Sequence, residues 1–308
     1  MAAIDYETEY NVHARVPEHP QIAARRERDA KAYRAQARSA EIGVVYGSSR
    51  RQIYDFFPAP GAAKAPLAMY IHGGGWRALS PSMFSHMAKG ANANGVSVAV
   101  AGYDLCPEVS VATIIEEMRA AALFLWRRHR QRIFIYGHSA GAHLAACLVA
   151  SDWKALASDV PADLIPAGYL ISGVYDLSPL VETTQNETLR LDRKSAHACS
   201  PLFWRMPPGR KMEFVVGREE SSEFIRQSRS IAETWRQAGA ETRYGEIANA
   251  NHFTVIDPLA DPQSAMSKRV AEMARTVAHM PLSSTAGPGE IGTQDARVAK
   301  AGFPRPRE

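Results

Sequence analysis

The sequence predicts an α/β fold: a mostly parallel central sheet with helices on both faces, preceded by an N-terminal helical segment. Two observations carry this. Short strand-like runs alternate with amphipathic helical stretches over most of the chain. The runs "LAMYIH", "VSVAVAGY", "RIFIYG" and "AGYLISG" are also almost wholly apolar, as strands are when both faces of a parallel sheet are covered.

Each element follows in order. An irregular start leads into a helix through "QIAARRERDAKAYRAQARSA", and "IGVVYG" and "RQIYDFFPA" read as strands. Pro58, Pro60 and Gly61 mark a loop. Beyond it come the strand "LAMYIH", a helix from about Ser82 to Asn92, the strand "VSVAVAGY" and a helix over Val111 to His129. The strand "RIFIYG" and a helix from Ala140 to Ser151 follow, then "AGYLISG" and a less regular insertion from Tyr175 to Pro208. The pattern resumes with the strand "KMEFVVG", the helix "SEFIRQSRSIAETWRQAG", the strand "TRYGEIA" and a last helix over Ser264 to His279. After Met280 the residues are small, polar and rich in Gly and Pro, which predicts a disordered tail. The organisation expected is therefore an N-terminal segment over 1–40, placed to serve as a lid, an α/β domain over 41–280 and a tail over 281–308.

Composition removes several classes of function. The chain of 308 residues is 46% hydrophobic and 22% charged, and no apolar run approaches the roughly 18 residues of a membrane span. No membrane role is expected. The opening "MAAIDYETEYNVHARVPEHP" has neither a basic start nor an apolar stretch, so a cytoplasmic location is expected. The net charge of +4 comes from 36 basic against 32 acidic residues, too small an excess to indicate nucleic acid. Its one visible concentration lies between Asn11 and Ala40, where Arg15, Arg25, Arg26, Arg28, Lys31, Arg34 and Arg38 outnumber the acidic residues, and most of these read as a solvated helix face. Cys106, Cys147 and Cys199 are too scattered for a disulfide framework or a zinc cluster, and are expected to be buried free thiols.

The chemistry is concentrated in "RIFIYGHSAGAHLAA", residues 132–146, where Ser139 stands between Gly137 and Gly141 as a strand gives way to a helix. A G-x-S-x-G pentapeptide is weak evidence alone, but strand, turn and helix in this order are what a nucleophile elbow requires. The glycines leave room where a strained turn brings the chain against itself. Three further glycines in "YIHGGGWRALS" follow the strand "LAMYIH". In α/β hydrolases that loop supplies part of an oxyanion hole, which assigns the amides of Gly74, Gly75 and Ala140 as donors.

A serine hydroxyl needs a base, and the base a carboxylate, in the chain order serine, acid, histidine. Of ten histidines, only His252 follows the last predicted strand and precedes the final helix. His72, His138 and His143, beside the glycine motifs, are assigned structural roles. The acid should follow "KMEFVVG", where spacing alone leaves Glu219 and Glu220 open. Asp257 lies too near His252 along the chain, and is read as a helix cap before Pro258.

From about Tyr10 to Pro258 the chain resembles the kynurenine formamidase (arylformamidase) branch of the α/β-hydrolase esterase/lipase family. The residues that carry the resemblance are "YNVHARVPEHP", "IHGGGWRALS", "YDLCPE", "GHSAGAHLAA", "LISGVYDLSPLVETTQNETLRLD", "EFIRQS" and "ANHFTVID". It implies an α/β-hydrolase fold, and it selects Glu220, immediately before "SSEFIRQS", although many relatives carry aspartate there. Gly75 departs from the tyrosine or alanine frequent in formamidases, and Ala142 from a frequent third glycine. The resemblance further implies hydrolysis of an aryl formamide such as N-formylkynurenine by Ser139, Glu220 and His252, with no cofactor and no metal, and it makes a homodimer an expectation. A carboxylesterase using the same residues on short-chain or aryl esters is the alternative, and a non-catalytic binding protein of the same fold stands third. Trp76 and Phe253 are candidate walls of an aromatic-sized substrate pocket.

Overall fold

The computed structural model describes residues 4–61 and 64–280, and the tail expected over 281–308 lies outside the described residues. The chain opens with three helices, α1 (Tyr6–Tyr10), α2 (Val12–Arg15) and α3 (His19–Gln36), and then enters β1 (Glu41–Val45), β2 (Ile53–Phe57) and β3 (Leu67–Ile71). Next come α4 (Lys89–Ala93), β4 (Ser97–Ala101), α5 (Val111–His129), β5 (Ile133–His138), α6 (Ala140–Val149), α7 (Trp153–Leu156) and β6 (Ala167–Ile171). The segment before β7 (Lys211–Gly217) holds the short helices α8 (Asn186–Leu189) and α9 (Arg193–Ala198). The last elements are α10 (Ser222–Gln237), β8 (Glu241–Ile247) and α11 (Ala265–His279).

Among the described residues the eight strands form one sheet in the order β1-β2-β4-β3-β5-β6-β7-β8. From β4 to β8 all neighbours are parallel, while β2 runs antiparallel to both β1 and β4. Strands β3 to β6 are buried at every residue, which explains their unbroken apolar sequences. The core is split by the sheet: α5, α6 and α10 cover one face, and α4 and α11 the other. Serine caps fix where the long helices start, with Ser110, Ser221 and Ser264 each accepting from a backbone N–H three residues on.

Three expectations need correction. The single helix read from Ser82 to Asn92 is two 3₁₀ turns, Pro81–Met83 and Ser85–Ala88, followed by the short α4. The cause is tertiary: a Cβ on Gly90 would lie 2.0 Å from Ser267 Oγ and 2.4 Å from Leu259 O, so this segment is shaped to lie against α11 and the turn before it. The basic stretch of α3 is only partly a solvated face. Arg26 is buried and hydrogen-bonds the Phe253 carbonyl and Asp257 Oδ1, and Arg34 donates to Ser82 O and Ser85 Oγ. Asp257 is no cap: it lies inside a 3₁₀ turn, Thr254–Ala260, and pairs with Arg25 and Arg26.

The site occupies the carboxyl edge of the parallel strands. The glycine loop leaves β3, Ser139 leaves β5, Ser172 follows β6, Glu220 follows β7 and His252 follows β8. Loops at this edge of an open α/β sheet converge on a common crevice.

Candidate active site

Ser139 has φ 55° and ψ −122°, a conformation that costs an L-residue about 1–3 kcal/mol. Its neighbours explain why it persists. A Cβ on Gly137 would lie 2.5 Å from Gly141 O, and one on Gly141 would lie 2.1 Å from Ile71 O and 2.6 Å from His72 O. The turn thus crosses its own backbone and presses α6 onto the end of β3, and the two glycines permit both contacts. Ser139 N donates to Ile171 O at 2.9 Å, which pins the strained residue to β6.

The serine hydroxyl lies 3.0 Å from His252 Nε2, and His252 Nδ1 lies 2.6 Å from Glu220 Oε2. Glu220 and His252 are buried, at 6% and 5% exposed, and Ser139 is half-buried. The other oxygen of Glu220 accepts from Ser172 Oγ at 2.5 Å and Gly217 N at 2.7 Å. Two donors hold Oε1, so Oε2 is aimed at the imidazole and Nδ1 carries its hydrogen. That tautomer leaves Nε2 as the acceptor for the serine proton. Glu219, the competing carboxylate, is exposed, and its backbone N–H bonds Ala250 O.

His252 is held from both sides. Its ring packs 4.4 Å from that of Phe224 and 4.7 Å from that of His138, and His138 Nε2 donates to its carbonyl at 2.9 Å. Burial drives the His138 imidazole well below the ordinary histidine range, aided by the neighbouring His252. It is therefore a neutral donor. His72 is stacked between Phe84 and Tyr103, with Nδ1 2.6 Å from Gly73 O. His143 accepts from Trp76 Nε1 at 3.2 Å and donates through Nε2 to Cys199 O at 2.7 Å. Burial pushes both His72 and His143 down to about 4. All three histidines bond backbone or indole groups and none reaches the serine.

The glycine loop arches over Ser139. Gly74 and Gly75 have φ 121° and φ 58°, values open to glycine and costly for other residues. Neither N–H has an acceptor among the described residues. The same holds for Ala140, whose position in the first turn of α6 leaves its N–H without an intrahelical partner. Nothing in the sequence singles out Gly73, yet it approaches closest: its Cβ would stand 3.1 Å from Ser139 Cβ.

A cavity of about 740 Å³ opens above these groups, lined by Ser139, His252, the glycine loop, Trp76, Phe253 and residues of the N-terminal segment. The indole of Trp76 is buried, and Phe253 stacks on His19 at 5.6 Å. Tyr10 completes the wall. Its hydroxyl donates to Glu223 Oε2 at 2.8 Å and accepts from Gln227 Nε2 at 2.9 Å, while its ring packs edge-on against Phe224. Glu7 accepts from Thr184 N and Oγ1, and Glu9 from Ser222 Oγ and Glu223 N. The bonds of Glu7 tie α1 to the segment before α8, and those of Glu9 and Tyr10 tie it to the first turns of α10, which starts two residues beyond Glu220. Ser172, Arg26 and Tyr10 carry no local signal, since their partners lie 48 to 231 residues away.

Cys106, Cys147 and Cys199 are buried and form no disulfide. Among the described residues no group of three or more His, Cys, Asp or Glu is arranged to hold a metal ion, and no helix is long and apolar enough to cross a membrane.

Comparison with known proteins agrees with the fold. A family profile described as alpha/beta hydrolase fold matches residues 68–280. The kynurenine formamidase of Salmo salar is 29% identical over 243 residues, covering 75% of this chain and 81% of the relative. That of Danio rerio is 28% identical over 240 residues, with the same shares. A solved structure from Silicibacter sp., ascribed provisionally to a thioesterase, superimposes with a TM-score of 0.79 at 29% identity. It covers 87% of this chain and 99% of that one.

Proposed function

The chain belongs to the α/β-hydrolase fold family, and from that premise we propose that it is a serine hydrolase of the arylformamidase kind, acting on N-formylkynurenine or a close aryl formamide. The observation that carries the chemistry is the unbroken chain from Ser139 Oγ through His252 to Glu220, at 3.0 and 2.6 Å, beneath a loop with unclaimed N–H groups. Similarity to the two fish kynurenine formamidases supports the choice of substrate.

In this reading Ser139 Oγ attacks the formyl carbon while His252 Nε2 takes its proton. The N–H groups of Gly74, Gly75 and Ala140 receive the oxyanion as it forms. Collapse of the tetrahedral intermediate breaks the C–N bond, and His252 gives its proton to the departing aniline nitrogen. A water molecule, deprotonated in turn by His252, attacks formyl-Ser139 and releases formate. Glu220 fixes the imidazole and stabilises its cationic form without taking the proton. A formyl group has no bulk beyond its hydrogen, so the room in the cavity falls to the aryl side, where Trp76 and Phe253 stand as flat walls. The three buried thiols suit a reducing compartment, and the cytoplasm is the location proposed with this activity.

The test sets N-formyl-L-kynurenine beside p-nitrophenyl acetate in steady-state assays. A much larger kcat/KM for the formamide is expected. Turnover of the ester alone would keep the serine mechanism and make the protein a carboxylesterase.

A further inference from the structure

The cavity carries charge that the hydrolytic steps do not use. Arg77 follows Trp76 in the glycine loop and is exposed. Its Nε and Gln185 Oε1 each lie 3.6 Å from the point where a side chain on Gly75 would begin, which puts the guanidinium stem over the loop assigned to the oxyanion. Its charge is also felt by His13, a cavity residue held below the ordinary histidine range by burial and by His19, Arg77 and His252. Among the described residues no carboxylate pairs with Arg77 and no acceptor takes its N–H groups.

The other charged groups in the cavity wall differ in what they have free. Arg51 donates to Leu79 O at 3.0 Å, Glu7 is held by Thr184, and Asp104 accepts from Ser49 Oγ. Glu108 lines the same cavity and, like Arg77, has no partner among the described residues. Arg50, between β1 and β2, also lines the cavity without a partner among the described residues, but Arg77 is the unclaimed guanidinium carried by the glycine loop itself. Together with an unclaimed carboxylate in the same concave site it matches the zwitterionic head of an α-amino acid. An arginine presents paired N–H donors to a carboxylate, and such charge-assisted bonds are the strong ones.

We propose that Arg77 is a specificity-determining residue that binds the carboxylate of an aryl formamide substrate while its formyl group sits at Ser139, with Glu108 facing the ammonium. This rests on the formamidase reading and extends it from the bond cleaved to the group recognised.

Three substrates test it: N-formyl-L-kynurenine, the same molecule without its amino group, and 2′-formamidoacetophenone, which lacks the whole amino-acid head. The wild type should favour both carboxylate-bearing substrates. Arg77→Gln should lower the ratio of kcat/KM for those two over the neutral one by about 10- to 100-fold, mainly through KM, and Arg77→Lys should restore part of it. Glu108→Gln should weaken N-formyl-L-kynurenine and spare the deaminated analogue. A ratio unmoved by Arg77→Gln in a variant with wild-type thermal stability overturns the proposal and leaves the formamidase reading intact. An equal loss on all three substrates also overturns it, since Arg77 would then serve the glycine loop. Failure of the wild type to cleave any of the three overturns both.

Discussion

Ser139 and Ser172 both hold positive φ without being glycine, and both meet the proposed catalytic groups through their hydroxyls. Ser172 acts one step removed, as a positioning residue. Its bond to Glu220 Oε1 leaves Gly217 N–H as the second donor to that oxygen. Ser172→Ala should therefore loosen the carboxylate without freeing it, lowering kcat about tenfold with little change in KM, in line with one hydrogen bond to a charged group. Steady-state kinetics read this directly, and an unchanged kcat would show that Gly217 alone suffices. The residue scale also shows where sequence reasoning stops. Ser139, His252 and the glycine loop stand out because their chemistry is tied to local pattern: a tight turn needs glycine, and a base must follow the last strand. Glu220 over Glu219 required the family resemblance. Ser172, Arg26 and Tyr10 were illegible because each acquires its role from a partner far along the chain.

At the scale of elements, the junction of β3, β5 and α6 is the part most strictly specified. Gly141 lies within α6, where alanine would ordinarily favour the helix by about 1 kcal/mol. Here its Cβ would meet Ile71 O at 2.1 Å, and that atom belongs to a strand paired on both sides. Gly141→Ala should thus destabilise the protein by about 3 kcal/mol, the upper range for overpacking, as measured by urea denaturation. A stabilising effect would mean that β3 and α6 are less closely apposed. Elements differ in legibility for a related reason. The strands buried on both faces announce themselves by composition, and α5 and α10 by their amphipathic pattern. The segment from Pro81 to Ala93 has helical composition, yet its path is set by Ser267 and Leu259 and by the arginine of α3 that grips Ser82 and Ser85. The antiparallel pairing of β1 and β2 was equally silent, because strand direction depends on the partner and not on the strand.

At the scale of the whole molecule, the buried histidines set how stability responds to acid. Burial pushes His72, His86 and His143 down to about 4, against an ordinary value near 6.5. Between these values the unfolded chain binds protons that the folded one refuses. Their contribution is therefore fully present above about pH 6.5 and is lost as pH falls toward 4, each histidine adding a slope of about 1.4 kcal/mol per pH unit. Thermal melts should show Tm falling steadily as pH is lowered from 6.5 to 4.5, and a flat Tm over that window would contradict the buried, neutral state assigned to them. The same interior that keeps these rings neutral keeps His138 a hydrogen-bond donor to the His252 loop, so stability and the geometry of the site decline together.

The measurement that tests the central claim most directly is active-site labelling with a fluorophosphonate, followed by peptide mass mapping and by assay of the labelled protein on N-formyl-L-kynurenine. The account predicts one label per chain, carried on Ser139, with formamide hydrolysis lost in proportion to labelling and absent from Ser139→Ala. A label on another residue, or formamide hydrolysis that survives both the label and the substitution, would contradict it.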